Sequence, residues 1–122
     1  MMKTVSKIAS VALLISVVIL FAIHVHAQNR TFSGAIMDSQ CVSMGGHESM
    51  YNDEIKNPKD CTLECVKYDG GKYELYDIAT QKVYQLDDQK KAEQFAGEKV
   101  AVTGTYDEST QTVHVTKIEA AK

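Results

Sequence analysis

Five short segments of the chain alternate apolar and polar residues, which is the pattern of half-buried β-strands. These predicted strands cover residues 31–37, 72–78, 82–86, 99–106 and 112–118. The second and third are joined by residues 79–81, and the fourth and fifth by residues 107–111. Connections this short predict two hairpins. A chain that is mostly short strands must therefore bury its apolar faces in a sheet packed on itself or on a helix.

Two helices interrupt this order of strands. Asn57 followed by Pro58 is a typical helix start, and Asp69-Gly70-Gly71 is a typical end. This predicts a short helix over residues 58–67, after the first strand. The second helix, predicted over residues 89–96, is capped by Asp87 or Asp88 and ends at Gly97.

Five strands with a helix between the third and the fourth is the element order of an OB-fold barrel. We therefore predict a mainly β, OB-like barrel, with an open five-stranded sheet carrying a helix on one face as the alternative. Residues 38–57 show no periodicity and are predicted to be an irregular loop, and Gly34 predicts a bulge or a bend in the first strand. The predicted core consists of Phe32, Ile36, Leu75, Val83, Leu86, Phe95, Val100, Val102, Val113, Val115 and Ile118.

The first 27 residues have the composition of an export signal. Lys3 and Lys7 give a positive start, residues 8–25 carry no charge, and Val25-His26-Ala27 fits a signal-peptidase site. The alternative is an uncut membrane anchor, because the apolar run is long for a signal. Cleavage before Gln28 predicts a periplasmic or extracellular protein. Contact with the membrane is expected only in the alternative case, in which the segment is not cleaved.

The remaining 95 residues, 28–122, are enough for a single small domain. Without its two leading lysines the chain has 11 basic and 16 acidic residues, so the net charge is −5 with neutral histidines. This acidic balance argues against nucleic acid, since affinity for phosphates comes mainly from Lys and Arg. A domain this small buries a modest core, so a covalent or metal staple would help it.

All three cysteines and one histidine lie in a window of 25 residues. Cys61 and Cys65 are four residues apart on the predicted helix, so they project from one face. Their spacing is too wide for an unstrained disulfide, and Cys41 is the expected partner of one of them. Three thiolates and the imidazole of His47 would equally suit tetrahedral zinc or a soft ion such as Cu(I). Met44 and Met50 flank His47 at intervals of three and are weaker candidate ligands for copper.

Three interpretations of this cluster stay open. A disulfide from Cys41 to Cys61 or Cys65 would leave one free thiol, and export favours it. A Cys/His metal site is the second interpretation. An intermolecular disulfide or a redox-active thiol is the third, although the C-x3-C spacing differs from the C-x-x-C of thioredoxin-like enzymes.

The other notable side chains have plainer interpretations. His114 is expected to be exposed on the last strand, and Asp53, Glu54, Asp87 and Asp88 are expected to be solvated loop or cap residues. Aromatic residues on the strands can stack ligands in OB-folds but are more often half-buried strand residues. This applies to Tyr68, Tyr73, Tyr76, Tyr84 and Tyr106.

The chain resembles a group of small exported bacterial domains of unknown function with an OB-like fold. The resemblance is carried by D-S-Q-C, by the histidine that follows, and by C-T-L-E-C-V-K, with weaker support from V-T-G-T. It maps onto Asp38, Ser39, Cys41, His47, Cys61 and Cys65. It implies fold and export rather than an activity.

The sequence thus favours a non-enzymatic binding or structural module of the cell envelope. Its partner would be a metal ion (zinc or copper), a small ligand or another envelope protein. A thiol-dependent redox protein or sensor is the competing prediction.

Export can be tested by the mass of the mature protein. Cleavage at the predicted site gives a chain that begins at Gln28 or within a few residues of it. Intact-mass spectrometry of the exported protein measures this directly. Recovery of residues 1–27 in the membrane fraction would instead show an anchor.

Overall fold

The computed structural model describes residues 27–46, 52 and 55–122. Within these residues, five strands and three helices follow one another. The strands are β1 (Arg30–Asp38), β2 (Tyr73–Asp77), β3 (Lys82–Leu86), β4 (Lys99–Asp107) and β5 (Thr112–Ala120). The helices are α1 (Ser39–Met44) and α2 (Pro58–Asp69), both between β1 and β2, and α3 (Gln89–Glu93), between β3 and β4.

The five strands form one sheet that closes in a ring, in the order β1-β2-β3-β5-β4. All neighbouring strands are antiparallel except β3 and β5, which run parallel over a short register. As predicted, β1 pairs with the C-terminal hairpin, since its first half lies against β4 while its second half lies against β2. The mainly β prediction is therefore confirmed, and the chain order of strands and of the late helix is as expected.

The interior of the ring holds the main apolar core. Its fully buried members include Ile36, Leu75, Val100, Val102 and Val113. Phe32, Phe95 and Val115 pack against it while partly buried, so these predicted positions are on the correct face. The prediction that Val83 belongs to the core is wrong. Leu75 lies opposite Tyr84 in the register, and the side chains of Tyr84 and Leu86 point into the ring. Because the side chains of a strand alternate, Val83 cannot share a face with Leu86.

The predicted irregular loop over residues 38–57 is wrong at its start, because residues 39–44 form α1. The signal is present in the sequence: Asp38 is an N-cap, and Gly45 ends the helix with φ of 80°. Neither residue belongs to an apolar repeat, and six residues are too few to show helical periodicity. Cys41 therefore lies on a helix and not in a loop.

Gly34 and Gly97 are among the glycines that allow elements to approach closely. A Cβ on Gly34 would lie 2.5 Å from the carbonyl oxygen of Tyr76, so only a glycine fits where β1 approaches the backbone of β2 here. The observed bulge lies elsewhere, in β5, where the register with β4 skips Thr116. Gly97 has φ of 75°, and a Cβ there would lie 2.4 Å from the backbone nitrogen of Lys59. Gly97 thereby lets the start of α2 lie against the turn after α3.

The helices finish the fold around the ring. Ala92 of α3 and Ala96 just after it are buried in the main core, so this helix covers one part of the interior as predicted. The helix ends at Glu93, earlier than expected, and continues as turns to Gly97. Across the described stretches of the chain, none of the helices is both long and apolar enough to cross a bilayer.

The placement of the core face is testable at Val102, which is fully buried between Phe32 and Ile118 in the register. Val102→Asp should unfold the domain. An unpaired carboxylate buried there costs about 4 kcal/mol or more, close to the whole stability of a domain of this size. Urea unfolding followed by circular dichroism measures the effect. Thr116→Asp, exposed on β5, is the matched control, and equal stability of the two variants would contradict this placement.

Candidate metal centre

The site begins where β1 ends. Asp38 is fully buried, and its carboxylate caps α1. One carboxylate oxygen accepts a hydrogen bond of 2.8 Å from the backbone N–H of Gln40, and both oxygens lie 3.3 Å from the backbone N–H of Cys41. The cap therefore sets the direction of the first helical turn, and with it the position of Cys41.

A second set of hydrogen bonds attaches α1 to the sheet. The backbone N–H of Ser39 donates to the carbonyl of Lys72, and the N–H of Lys72 donates to the hydroxyl of Ser39, at 3.0 and 3.3 Å. These bonds hold the start of α1 beside the start of β2. Cys41 is consequently held by a short, well-capped element rather than by a free loop.

The other two cysteines lie on α2. Its start is capped as predicted, because the Asn57 side chain accepts a 2.9 Å hydrogen bond from the backbone N–H of Asp60. Cys61 and Cys65 are one helical turn apart and both are buried, so they occupy the face that packs on the sheet. The prediction that they share a helix face is confirmed.

The three thiols meet in one place. Their Sγ atoms all lie within 4.8 Å of one another, and the Sγ atoms of Cys41 and Cys61 are 3.4 Å apart. Sulfur atoms in a disulfide are about 2.05 Å apart, whereas sulfurs bound to one tetrahedral zinc ion are about 3.8 Å apart. The three cysteines form a cluster that could hold a metal ion. The expectation that Cys41 lies beside the helix is confirmed.

The cluster is closed off from water. Cys41 and Cys61 are 0% exposed and Cys65 is 1% exposed. They form a second buried cluster, outside the ring, with Ala35 and Met37. Val42, Ile55 and Tyr76 pack against this cluster while partly buried. The thiols thus sit between the outer face of β1 and β2 and the two helices that cover it.

Met37 was not among the predicted site residues, although it is only 3% exposed and packs in the thiol cluster. A signal was available in the alternation of β1. Ile36 points into the ring, so Ala35 and Met37 must point out of it. Because outward positions of a strand are usually solvated, an alanine and a methionine there indicate a second covered face.

The surroundings of Cys41 and Cys65 keep these two thiols protonated when no ion is bound. Burial, a hydrogen bond to the Asp38 carboxylate and the neighbouring Cys61 raise the pKa of the Cys41 thiol far above its ordinary value. Burial, followed by the negative charge of Asp38, raises the pKa of Cys65 to about 11. Thiols of this kind are poor nucleophiles, because the thiolate is the reactive form.

A second buried carboxylate lies close by. Glu74 of β2 is 7% exposed, pairs in register with Met37, and accepts a 2.7 Å hydrogen bond from the Gln85 side chain. Burial is the largest cause that raises the pKa of Glu74, and the charge of Asp38 adds to it. Among the described residues no basic side chain forms an ion pair with Asp38 or Glu74. A cation placed among the thiols would therefore relieve an excess of negative charge.

Of the remaining predicted ligands, Met44 alone belongs to the described part of the chain. His47 and Met50 lie outside the described residues, as do Asp53 and Glu54. Met44 is described and is 51% exposed at the end of α1. The candidate donor set that the structure assembles is therefore the three cysteines.

The aromatic and acidic residues elsewhere have structural roles. Tyr73 is buried in the main core, while the rings of Tyr84 and Tyr106 pack at a tilt against Phe32, with ring centroids 4.9 and 5.7 Å away. His114 is exposed, as predicted, and lies 3.0 Å from the carboxylate of Asp87. Asp88 caps α3 by accepting from the backbone N–H of Lys91.

Comparison with known proteins yields no match among family models, curated proteins or solved structures. Membership in the group of small exported domains therefore stays a prediction. What the protein does must be argued from its own residues.

The role of the Asp38 cap can be measured. Asp38→Ala leaves buried backbone N–H groups without an acceptor, and should lower the free energy of unfolding by about 2–3 kcal/mol. Asp38→Asn keeps an acceptor oxygen and should lose about 1 kcal/mol. Urea unfolding in the presence of a reductant compares the two variants. Equal stabilities of Asp38→Ala and the unmodified protein would show that the cap does not hold α1.

Proposed function

We propose that this protein is an exported module of the cell envelope that holds one metal ion through Cys41, Cys61 and Cys65, with zinc and copper as the candidate ions. The observation that carries the proposal is the convergence of three buried Sγ atoms within 4.8 Å. Thiolates are soft ligands that zinc and Cu(I) both accept. His47, three residues beyond the C-terminus of α1, is the proposed fourth ligand on the strength of its place in the sequence.

The burial of the ligands supports a held ion rather than a catalytic one. Catalytic zinc sites keep one coordination position open to water or substrate, whereas structural sites are closed. All three cysteines are at most 1% exposed, and apolar side chains surround them. An ion bound by these three thiols would be shielded from bulk water, as in closed structural sites.

The place of the cluster in the fold supports a stabilising role. The three cysteines come from α1 and α2, and both helices pack on the outer face of β1. One ion would link two short elements to the sheet. In a domain of this size such a link would add to the modest apolar core that a short chain can build.

The competing redox proposal needs an accessible thiol of low pKa. Reactive cysteines are partly exposed and lie in electropositive surroundings. The three thiols here are buried, their pKa values are raised at Cys41 and Cys65, and the neighbouring charge is the carboxylate of Asp38. These features favour metal binding over a thiol-dependent enzyme or sensor.

Export and the OB-like barrel are part of the same proposal. The uncharged run over residues 8–25 and the Val25-His26-Ala27 site support export into the periplasm or beyond. The ring order β1-β2-β3-β5-β4, with a parallel β3–β5 pair and a helix after β3, supports an OB-like arrangement.

The proposal predicts one ion per chain. Protein recovered from the periplasm, reduced and then incubated anaerobically with Zn(II) or Cu(I), should retain one equivalent after desalting. Cys41→Ser should retain none, because two sulfurs remain of three, and His47→Ala should bind Zn(II) more weakly. Elemental analysis gives the stoichiometry, and a thermal melt should show that the bound ion raises Tm.

Gln40→Ala is the matched control, since this side chain is exposed on the same helix as Cys41. It should bind like the unmodified protein. Failure of the unmodified protein to retain either ion would overturn the proposal. A mapped Cys41–Cys61 disulfide in the periplasmic protein, with no bound ion, would replace it by a structural disulfide.

A further inference from the structure

The thiol cluster contains a fourth sulfur. Met37 lies on the outer face of β1, is 3% exposed, and packs in the same buried cluster as Cys41, Cys61 and Cys65. Methionine often fills gaps in cores, so burial alone does not make it a ligand. Its position is nevertheless unusual, because it stands on the strand that leads directly through Asp38 into the helix carrying Cys41.

The donors around the thiols are limited in kind. Both oxygens of Asp38 already accept hydrogen bonds from backbone N–H groups, and one oxygen of Glu74 accepts from Gln85. The apolar side chains that pack on the cysteines belong to alanine, valine, isoleucine, tyrosine and Met37. Within the described part of the chain, the thioether is thus the soft donor beside the thiols that has no other bonding role.

A neutral donor suits the charge of the site. Three thiolates beside the buried Asp38 carboxylate would already carry more negative charge than one ion removes. Another anionic ligand would add to the cost of burying that charge, whereas a thioether adds none. A thioether is also selective, because it binds soft ions such as Cu(I), while zinc sites in proteins use Cys, His, Asp and Glu.

Met37 is also reached from solvent by a groove. A cavity of about 400 Å³ is lined by Met37 together with Ala35 and Tyr76, which pack around the thiols, and by Gly45 and Gly46 at the end of α1. Met37 is shared by the groove and the thiol cluster. An ion that arrives through this groove would meet the thioether on its way to the sulfurs.

We propose that, when the ion is soft and monovalent, with Cu(I) as the probe, Met37 rather than His47 takes the fourth position and completes an all-sulfur site. The inference rests on the proposed metal-binding function and specifies its ion. Binding releases thiol protons to the solvent as thiolates form on the ion. Copper is supplied as Cu(I) and stays Cu(I), so no oxidant or reductant is consumed.

The test compares two ions in three variants of the whole protein, each recovered from the periplasm and freed of metal. Competition with a coloured Cu(I) chelator under anaerobic conditions gives the Cu(I) affinity, and a coloured Zn(II) chelator gives the zinc affinity. Met37→Leu keeps the volume and apolar character of the side chain, so the fold should persist. It should weaken Cu(I) about tenfold or more while leaving the zinc affinity within about twofold.

Met44→Leu is the matched control, since Met44 is half exposed outside the cluster, and it should change neither affinity. X-ray absorption of the copper-loaded protein should show only sulfur around the ion, with one sulfur fewer in Met37→Leu. Thermal melts of the metal-free variants check that the exchange to leucine leaves the fold intact.

The other outcomes distinguish a failure of Met37 as a ligand from a failure of metal binding itself. An unchanged Cu(I) affinity in Met37→Leu, or equal losses for both ions, would overturn the role of Met37 and indicate a packing residue. If His47→Ala weakens both ions while Met37→Leu weakens neither, the fourth ligand is nitrogen and the metal-binding proposal stands. If the unmodified protein binds neither ion, the metal-binding proposal and the role of Met37 are both overturned.

Discussion

The buried carboxylate of Asp38 is the interaction on which the site depends. It ends β1, caps α1 and accepts from the backbone N–H of Cys41. Removing a carboxylate from water is costly, and here the cost is offset by backbone donors rather than by a basic partner. Burial, and after it the Asp38 carboxylate, raise the pKa values of Cys41 and Cys65, so the geometry that gathers the thiols also keeps these two protonated until a cation arrives.

The fold builds two buried clusters from one strand. Inward residues of β1 such as Ile36 belong to the interior of the ring, while Ala35 and Met37 on its outer face belong to the thiol cluster. A ring of five short strands has too little interior to stabilise 95 residues easily. Covering the outer face with α1 and α2 adds a second core, and the three sulfurs lie at its centre.

Much of this architecture is predictable because it rests on local signals. Alternation placed the strands, short polar connections placed both hairpins, and Asn57-Pro58 and Gly70 bounded α2 within two residues. The wrong predictions occur where the helical segment is too short to show a period, or where the apolar residues of a strand fall on both of its faces. α1 is too brief to show a period, and Val83 was assigned to the core although alternation from Leu86 puts it on the opposite face.

The sequence by itself determined that Cys61 and Cys65 share a helix face, because that follows from helical geometry and a capped start. It also determined that Cys41 lies within reach, since the connection is long enough. Only the tertiary structure decided that Cys41 stands 3.4 Å from Cys61, that all three thiols are buried, and that Met37 joins them. These facts depend on which helices cover the outer face of β1. That choice is made by contacts between residues distant in sequence, such as Gly97 against Lys59, and no local pattern encodes them.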